Sequence, residues 1–444
     1  KPFKKDGTLS ANGEKWKLLC EEAEVDFDYE GEIKKIKQYN EPNPASSNQV
    51  KDWLFSLGWI PETFKYVKDG LGNERAIPQV YVQGSGGQVC PSIEKLAEEH
   101  EELQHLVGLG VLSHRKSCVK GFLDSLILGD FCEAGANGFT NTLRMKHRKP
   151  FVNLPSTRVV YGEEVRSCII SREGKKFVCS DLSSMENIWK FNYQMPHDPE
   201  FVKSQQTEDH DPHLDIATEG MLISEDEVNF YKIVKEGFPQ QNYPQTERLL
   251  KMLSWDEDKK KAEIKRIAKV RAAGKTTNYA CQYKSGAKTV SRQAKIDMGV
   301  AKTLVNAYRK KNWSIDTVEK SLTRKRVSHG TYQLNPVNGI WYHLKTEKDS
   351  FSTLVQGSGA YLLDLWLGYI FFLRQKPEYH IKGGVRLVAQ AHDENLQEFN
   401  DLEGNEETVR KLFDDALAMA NKRLAQEIPF GCDTQTGYKY SEIH

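Results

Sequence analysis

The chain has 444 residues, 39% of them hydrophobic and 28% charged, which is ordinary for a folded protein with a sizeable core and two or three substructures. Lys and Arg number 62 and so do Asp and Glu, giving a formal net charge of zero; bulk charge therefore marks no nucleic-acid binder, membrane-surface protein or acidic disordered tail. No stretch approaches the ~20 apolar residues of a membrane span, so the sequence reads as soluble.

The first residue is Lys, not Met, and no leader precedes the chain, which reads as a fragment or processed product with room for an upstream domain. Eight scattered cysteines carry no zinc-type spacing and read as reduced core thiols. Residues 14–37 are expected to be helical although rich in acids. Asn43-Pro44-Ala45-Ser46-Ser47 then precedes a second helix that Ser46 or Ser47 could cap. Residues 84–91 form a Gly/Ser/Pro loop, and Ser92 to about Leu128 has helical spacing interrupted near Gly108 and Gly110. Short strands with Gly turns are expected from Val159 to Ser180. Residues 185–325 read as mostly helical and increasingly basic, with 20 Lys/Arg against 4 Asp/Glu between Lys259 and Arg326. A buried helix is expected from Gly357 to about Arg374, then a hairpin of Val385–Ala391 and Asn395–Phe399. From Asp393 onward the chain carries a net charge of about −7, from 12 acids and 5 bases. The overall zero is a cancellation of polarised segments.

Three constellations carry chemistry. Asp181-Leu182-Ser183-Ser184-Met185-Glu186 places a carboxylate where a hydrophobic strand gives way to a helix; this suits a Mg²⁺ ligand, although alone it is equally an Asp N-cap. His392-Asp393-Glu394 sits at the hairpin apex, where acids also serve turns. Arg271, Lys275, Tyr279 and Tyr283 recur every four residues, a stripe on one helix face that suits a triphosphate at one end and a sugar or base at the other; alone it is equally a solvated basic face. Together, two separated carboxylates and a phosphate-binding stripe match in-line displacement at phosphorus.

In order and spacing these motifs resemble the family A DNA polymerases, akin to bacterial DNA polymerase I and most similar to the replicative polymerases of short-tailed phages. Residues 181–186 resemble motif A, Arg271 to Tyr283 motif B, and residues 392–394 motif C. Thr142-x-Arg144, Asn153-x-Pro155, Asp211-Pro212-His213 and Gln356-Gly357 resemble flanking motifs. The resemblance implies an α+β right hand with an antiparallel palm sheet, helical fingers and a helical thumb. Residues 1–130 would be a partial thumb with the start of the palm, 131–190 the first palm segment, 191–350 fingers with an insertion at 214–262, and 351–444 the second palm segment.

It further implies that Asp181 and Asp393, with the Leu182 carbonyl, hold two Mg²⁺ ions, for which Mn²⁺ can substitute, and that Glu394 is an accessory acid. Arg271 and Lys275 would bind the triphosphate, with Lys275 protonating pyrophosphate. Glu186 would exclude a ribose 2′-OH, Tyr279 would pack on the sugar, and Tyr283 would stack by the templating base. His213 would touch the β-phosphate, while Arg144, Gln356 and His392 would face the primer–template. The implied activity is template-directed addition of dNTPs to a primer 3′-OH, in bacterial cytoplasm, with an N-terminal exonuclease domain or replisome proteins as further partners and no membrane. Rival readings are a single-subunit RNA polymerase, disfavoured by Glu186, a two-carboxylate nuclease, and a non-catalytic DNA-binding module. Two departures from the family pattern stand out: Lys284 where Gly is usual, and Ser352 where Asn is common.

Overall fold

The computed structural model describes residues 2–33, 41–70, 73–83, 85–148, 150–151, 154–391 and 394–443. Asn153, His392 and Asp393 therefore lie outside the described residues. The chain divides into two compact units, Lys1–His114 and Arg115–His444.

The first unit holds α1 (Ala11–Glu22), α2 (Ser47–Ser56), a hairpin of β1 (Phe64–Lys68) and β2 (Glu74–Pro78), α3 (Pro91–Leu96) and the start of α4 (Gln104–Asp124). Ser46 caps α2 by accepting from the Gln49 N–H. Leu54, Trp59, Cys90, Ile93 and Leu103 form its core. Two expectations change here. α1 stops at Glu22, short of the helix expected over 14–37 (of which 34–37 lie outside the described residues), because the acids that follow oppose the dipole at a helix C-terminus; the chain folds back and the Trp16 indole donates to the Phe27 carbonyl at 2.9 Å. α4 runs unbroken through Gly108 and Gly110. A Cβ at Gly110 would lie 2.3 Å from the Tyr81 ring and 2.5 Å from the Gly87 carbonyl oxygen, so that glycine serves close packing and not a break.

The second unit continues with β3 (Leu126–Ile127), β4 (Phe131–Cys132), β5 (Ala136–Phe139), β6 (Met145–His147), α5 (Gly162–Ser167), β7 (Lys175–Leu182), α6 (Met185–Gln194), α7 (Pro199–Ser204), α8 (Pro212–Glu219), α9 (Glu225–Tyr231), α10 (Glu247–Leu253), α11 (Glu257–Gln282), α12 (Ala287–Ala294), α13 (Met298–Lys311) and α14 (Ser314–Ser321). It closes with β8 (Arg324–Val327), β9 (Gly330–Leu334), β10 (Trp341–Leu344), α15 (Ser350–Leu373), β11 (Val385–Ala391), β12 (Glu394–Asn400), α16 (Asn405–Leu424) and β13 (Cys432–Gly437). α5 stands where strands were expected: Glu163 and Glu164 in its first turn and Arg166 in its last complement the helix dipole.

The main sheet has the order β11-β12-β7-β13, with every neighbouring pair antiparallel. β7 is covered on both faces, which explains its apolar run Phe177-Val178-Cys179. Val178 and Leu182 face the large core shared with Trp189, Leu362, Trp366 and Phe413. Phe177 and Cys179 face a smaller cluster with Leu396, Tyr440 and Ile443. α15 is the buried helix expected from the sequence, begun about two turns early at Ser350. It lies close against α6, since a Cβ at Gly359 would sit 2.3 Å from the Met185 sulfur.

Glu406, in the first turn of α16, ties that helix to the sheet. It accepts from Lys176 Nζ at 2.6 Å on β7 and from Thr436 Oγ1 at 2.7 Å on β13. The Lys176 bond first, then those from Thr436 and Arg410, outweigh burial and hold its pKa at about 2, below the ordinary 4.5. A carboxyl lowered by folding stabilises fully above its unfolded pKa and loses that contribution as pH falls through the folded one. Glu406 remains 36% exposed, so solvent screening leaves the expected loss on Glu406→Gln at about 1 kcal/mol at pH 7. Urea unfolding across a pH series should show the gap between variant and parent closing from about 4.5 down to about 2.

Candidate active site

Asp181 lies in β7 one residue from its end, exposed between the buried Ser180 and Leu182. The α6 helix starts four residues after Asp181, behind Ser184, whose φ is +50° and whose side chain makes no cap. Asp181 is thus a strand residue, and the N-cap alternative does not hold. Across β7 the register pairs Asp181 with Glu394 on β12 and with Asp433 on β13. Three carboxylates therefore stand in one row on one face, lining a cleft of about 180 Å³ with Cys179, Gln435 and Ile443. Burial, and then the Glu394 and Asp181 charges, push the Cys179 thiol far up, so it stays protonated and is no nucleophile.

Like charges directly opposite on paired strands repel, and carboxylate oxygens are the donors that Mg²⁺ takes. The donor chemistry of the row fits that ion, although among the described residues no three His, Cys, Asp or Glu side chains converge as a ready cage. Asp433 was not singled out by its sequence. Its place in the row depends on a pairing between residues some 250 positions apart, and only the alternation of Cys432-Asp433-Thr434-Gln435 hints at it.

Five residues beyond Asp181, Glu186 occupies the first turn of α6. The Tyr283 hydroxyl donates to it at 3.0 Å, and Arg144 Nη1 lies 3.5 Å from its other oxygen. Gln356 and Ser352 of α15 line the same niche. Burial, and then the Glu186 charge, raise the Tyr283 pKa, keeping it a neutral donor. The structure thus brings together Glu186, Tyr283, Arg144 and Gln356, which the sequence spreads over more than 200 positions.

Arg271, Lys275 and Tyr279 all lie on α11, a 26-residue helix capped by Asp256. Lys275 and Tyr279 are exposed, and Tyr283 is the residue that closes the helix. α8 meets this stripe at its N-terminus. There a Cβ at Gly274 would fall 2.2 Å from the His213 carbonyl oxygen, so glycine permits the approach. Asp211 caps α8 by accepting from the His213 and Leu214 N–H groups at 2.8 and 3.1 Å, and its other oxygen accepts from Arg271 Nε. Burial raises the Asp211 pKa, but the Arg271 bond and the two backbone bonds prevail and it is lowered overall. His213 is pushed down by burial and by Arg271 and Lys275 against the opposing charge of Asp211. Its ring lies 6.1 Å from that of Tyr279.

Past Tyr283, Lys284 has a φ of +54°, the region that favours glycine. Its ammonium pairs with Glu319 of α14, and Glu319 Oε1 accepts from the Phe351 N–H of α15 at 3.1 Å. His392 and Asp393 lie outside the described residues, so of the motif C expectations only Glu394 is located.

No family model matches the chain, and no curated protein sequence matches it. Among solved structures, the chain is similar to the POL domain of Pol1 from M. smegmatis, solved in complex with DNA primer-template and dNTP, with a TM-score of 0.56 and 17% sequence identity. The match covers 97% of this chain and 65% of that one, so the chain spans about two thirds of the neighbour's length. The chain therefore has an α+β fold with antiparallel sheets of the kind found in a DNA polymerase POL domain.

Proposed function

We propose that the chain is a template-directed DNA polymerase that extends a primer 3′-OH with dNTPs on a DNA template. The observation that carries this reading is the pairing of Asp181 with Glu394 at the end of the sheet, in a fold like that of a POL domain, joined through Tyr283 and Glu186 to the helix bearing Arg271, Lys275 and Tyr279. Asp393 immediately precedes Glu394 in the sequence. Asp181, Asp393 and the Leu182 carbonyl would hold two Mg²⁺ ions, with Glu394 as accessory acid. When bound, Mg²⁺ supplies activation of the 3′-hydroxyl and neutralises charge on the leaving pyrophosphate.

The chain's own residues do the rest. Arg271 and Lys275 grip the triphosphate, and Lys275 delivers a proton to the departing pyrophosphate. His213 donates to the β-phosphate. Glu186, held by Tyr283 and Arg144, fills the space of a 2′-hydroxyl; Tyr279 packs on the sugar and Tyr283 stands beside the templating base. Arg144, Gln356 and His392 contact the primer–template. The accompanying domain assignment is a partial thumb with the start of the palm over residues 1–130, palm over 131–190 and 351–444, and fingers over 191–350 with an insertion at 214–262. The setting we infer, replication of phage DNA in bacterial cytoplasm, rests on the motif resemblance alone. No helix among the described residues is long and apolar enough to cross a membrane.

Primer extension on a defined template with dNTPs and Mg²⁺ tests the reading. Asp181→Ala should lower the rate by well over tenfold, since charge stabilisation at such a site is worth several kcal/mol; a smaller loss removes the metal assignment. Glu186→Ala should admit ribonucleotides, read as a fall in the dNTP:rNTP incorporation ratio of tenfold or more, about 1.4 kcal/mol. Tyr279→Phe should raise discrimination against dideoxynucleotides, because its hydroxyl replaces the interaction of the missing 3′-OH; unchanged selectivity argues against that role.

A further inference from the structure

The junction of α8 and α11 contains a polar contact that the assignments above leave unused. Asn278 stands on α11 between Lys275 and Tyr279, half-buried. Its Nδ2 lies 2.9 Å from the Pro212 carbonyl oxygen and 3.0 Å from His213 Nδ1. A carbonyl oxygen can only accept, so the atom facing it must be the NH₂ group and not the amide oxygen. One of its hydrogens goes to Pro212 and the second points at Nδ1. That ring nitrogen must then accept, which puts the imidazole proton on Nε2. Among the described residues Nε2 has no hydrogen-bond partner, so its N–H is left to face a ligand.

The surroundings keep the ring neutral and in place. Arg271 and Lys275 on α11 oppose a second proton, while Asp211 at the head of α8 favours one. Asp211 is itself engaged by Arg271 and by two backbone N–H groups. On the α13 side, Lys311 is paired with Asp215 at 2.6 Å. The contact at Gly274 fixes the spacing of the two helices.

We propose that Asn278 is a positioning residue for His213: by bonding the Pro212 carbonyl and His213 Nδ1 together, it locks the Nε2–H tautomer and presents that N–H to the phosphates of a nucleoside triphosphate gripped by Arg271 and Lys275. The ligand in this inference rests on the polymerase reading; the tautomer does not.

The test is ¹⁵N NMR of the full chain labelled at histidine, with the His213 signals assigned by their absence in His213→Gln. Above the pH at which His213 titrates, Nδ1 should be pyridine-like and Nε2 pyrrole-like. Asn278→Ala should give averaged signals from both tautomers, and Asn278→Asp, which can accept but not donate, should move the proton to Nδ1. Inorganic tripolyphosphate should bind about three- to tenfold more weakly to Asn278→Ala, the value of one hydrogen bond, and that loss should vanish in the His213→Gln background. A pyrrole-like Nδ1 in the parent chain overturns the proposal whether or not any variant folds, and so does an Asn278→Ala spectrum identical to the parent's. Primer extension by the same preparation reports separately: no extension with the Nε2–H tautomer present removes the polymerase reading, whereas extension with the wrong tautomer removes only the role of Asn278.

Discussion

Everything at the candidate site depends on the register of three antiparallel strands. β12, β7 and β13 are paired so that Glu394, Asp181 and Asp433 fall opposite one another. A slip of one residue in β7 would turn Asp181 into the large core and Leu182 out toward the cleft, because strand side chains alternate faces. Burial of both faces prevents this. Val178 and Leu182 are anchored against Trp189 and its neighbours, while Phe177 and Cys179 are anchored against Tyr440 and Ile443. Packing energy thus sets the position of charges that would otherwise repel. Glu406 reinforces the same arrangement by joining α16 to β7 and β13.

A second layer of order lies in the helices. Asp211 performs two tasks with one carboxylate, ending α8 and holding Arg271. Tyr283 and Arg144 hold Glu186 in the first turn of α6. Each of these side chains is held by partners from the chain itself, which limits the conformations it can adopt. Net charge over the chain says nothing about this. The basic segment from Lys259 to Arg326 is partly neutralised by ion pairs, Arg271 by Asp211 at the head of α8 and Lys284 by Glu319 of α14.

Much of the architecture was legible in the sequence because local pattern and tertiary role agree. The run Phe177-Val178-Cys179 ending in an acid marked the strand that carries Asp181, and the four-residue step from Arg271 to Tyr279 marked one face of α11. Elements whose form depends on context were misread. Gly110 looked like a break but admits the Tyr81 ring, and the acids after Glu22 looked helical but oppose the helix end. Within the site, the carboxylate of Asp433 and the amide of Asn278 were not legible. The first acquires meaning through a strand pairing and the second through a helix contact made close by Gly274; the alternation around Asp433 hints at a strand but not at its partner, and Asn278 leaves no periodic trace.

The link from Lys284 through Glu319 to the Phe351 N–H also bears on how this chain can change over generations. Glycine at 284 would suit the backbone, whose φ is +54°, yet it would strand a carboxylate that is only 9% exposed. Stranding a buried charge costs about 3–5 kcal/mol, more than the strain relieved, which is of order 1–3 kcal/mol. Loss of Glu319 first would leave Lys284 strained without its partner. Each single step lies uphill, so the two positions are expected to drift together, as one heritable unit joining the end of α11 to α14 and α15.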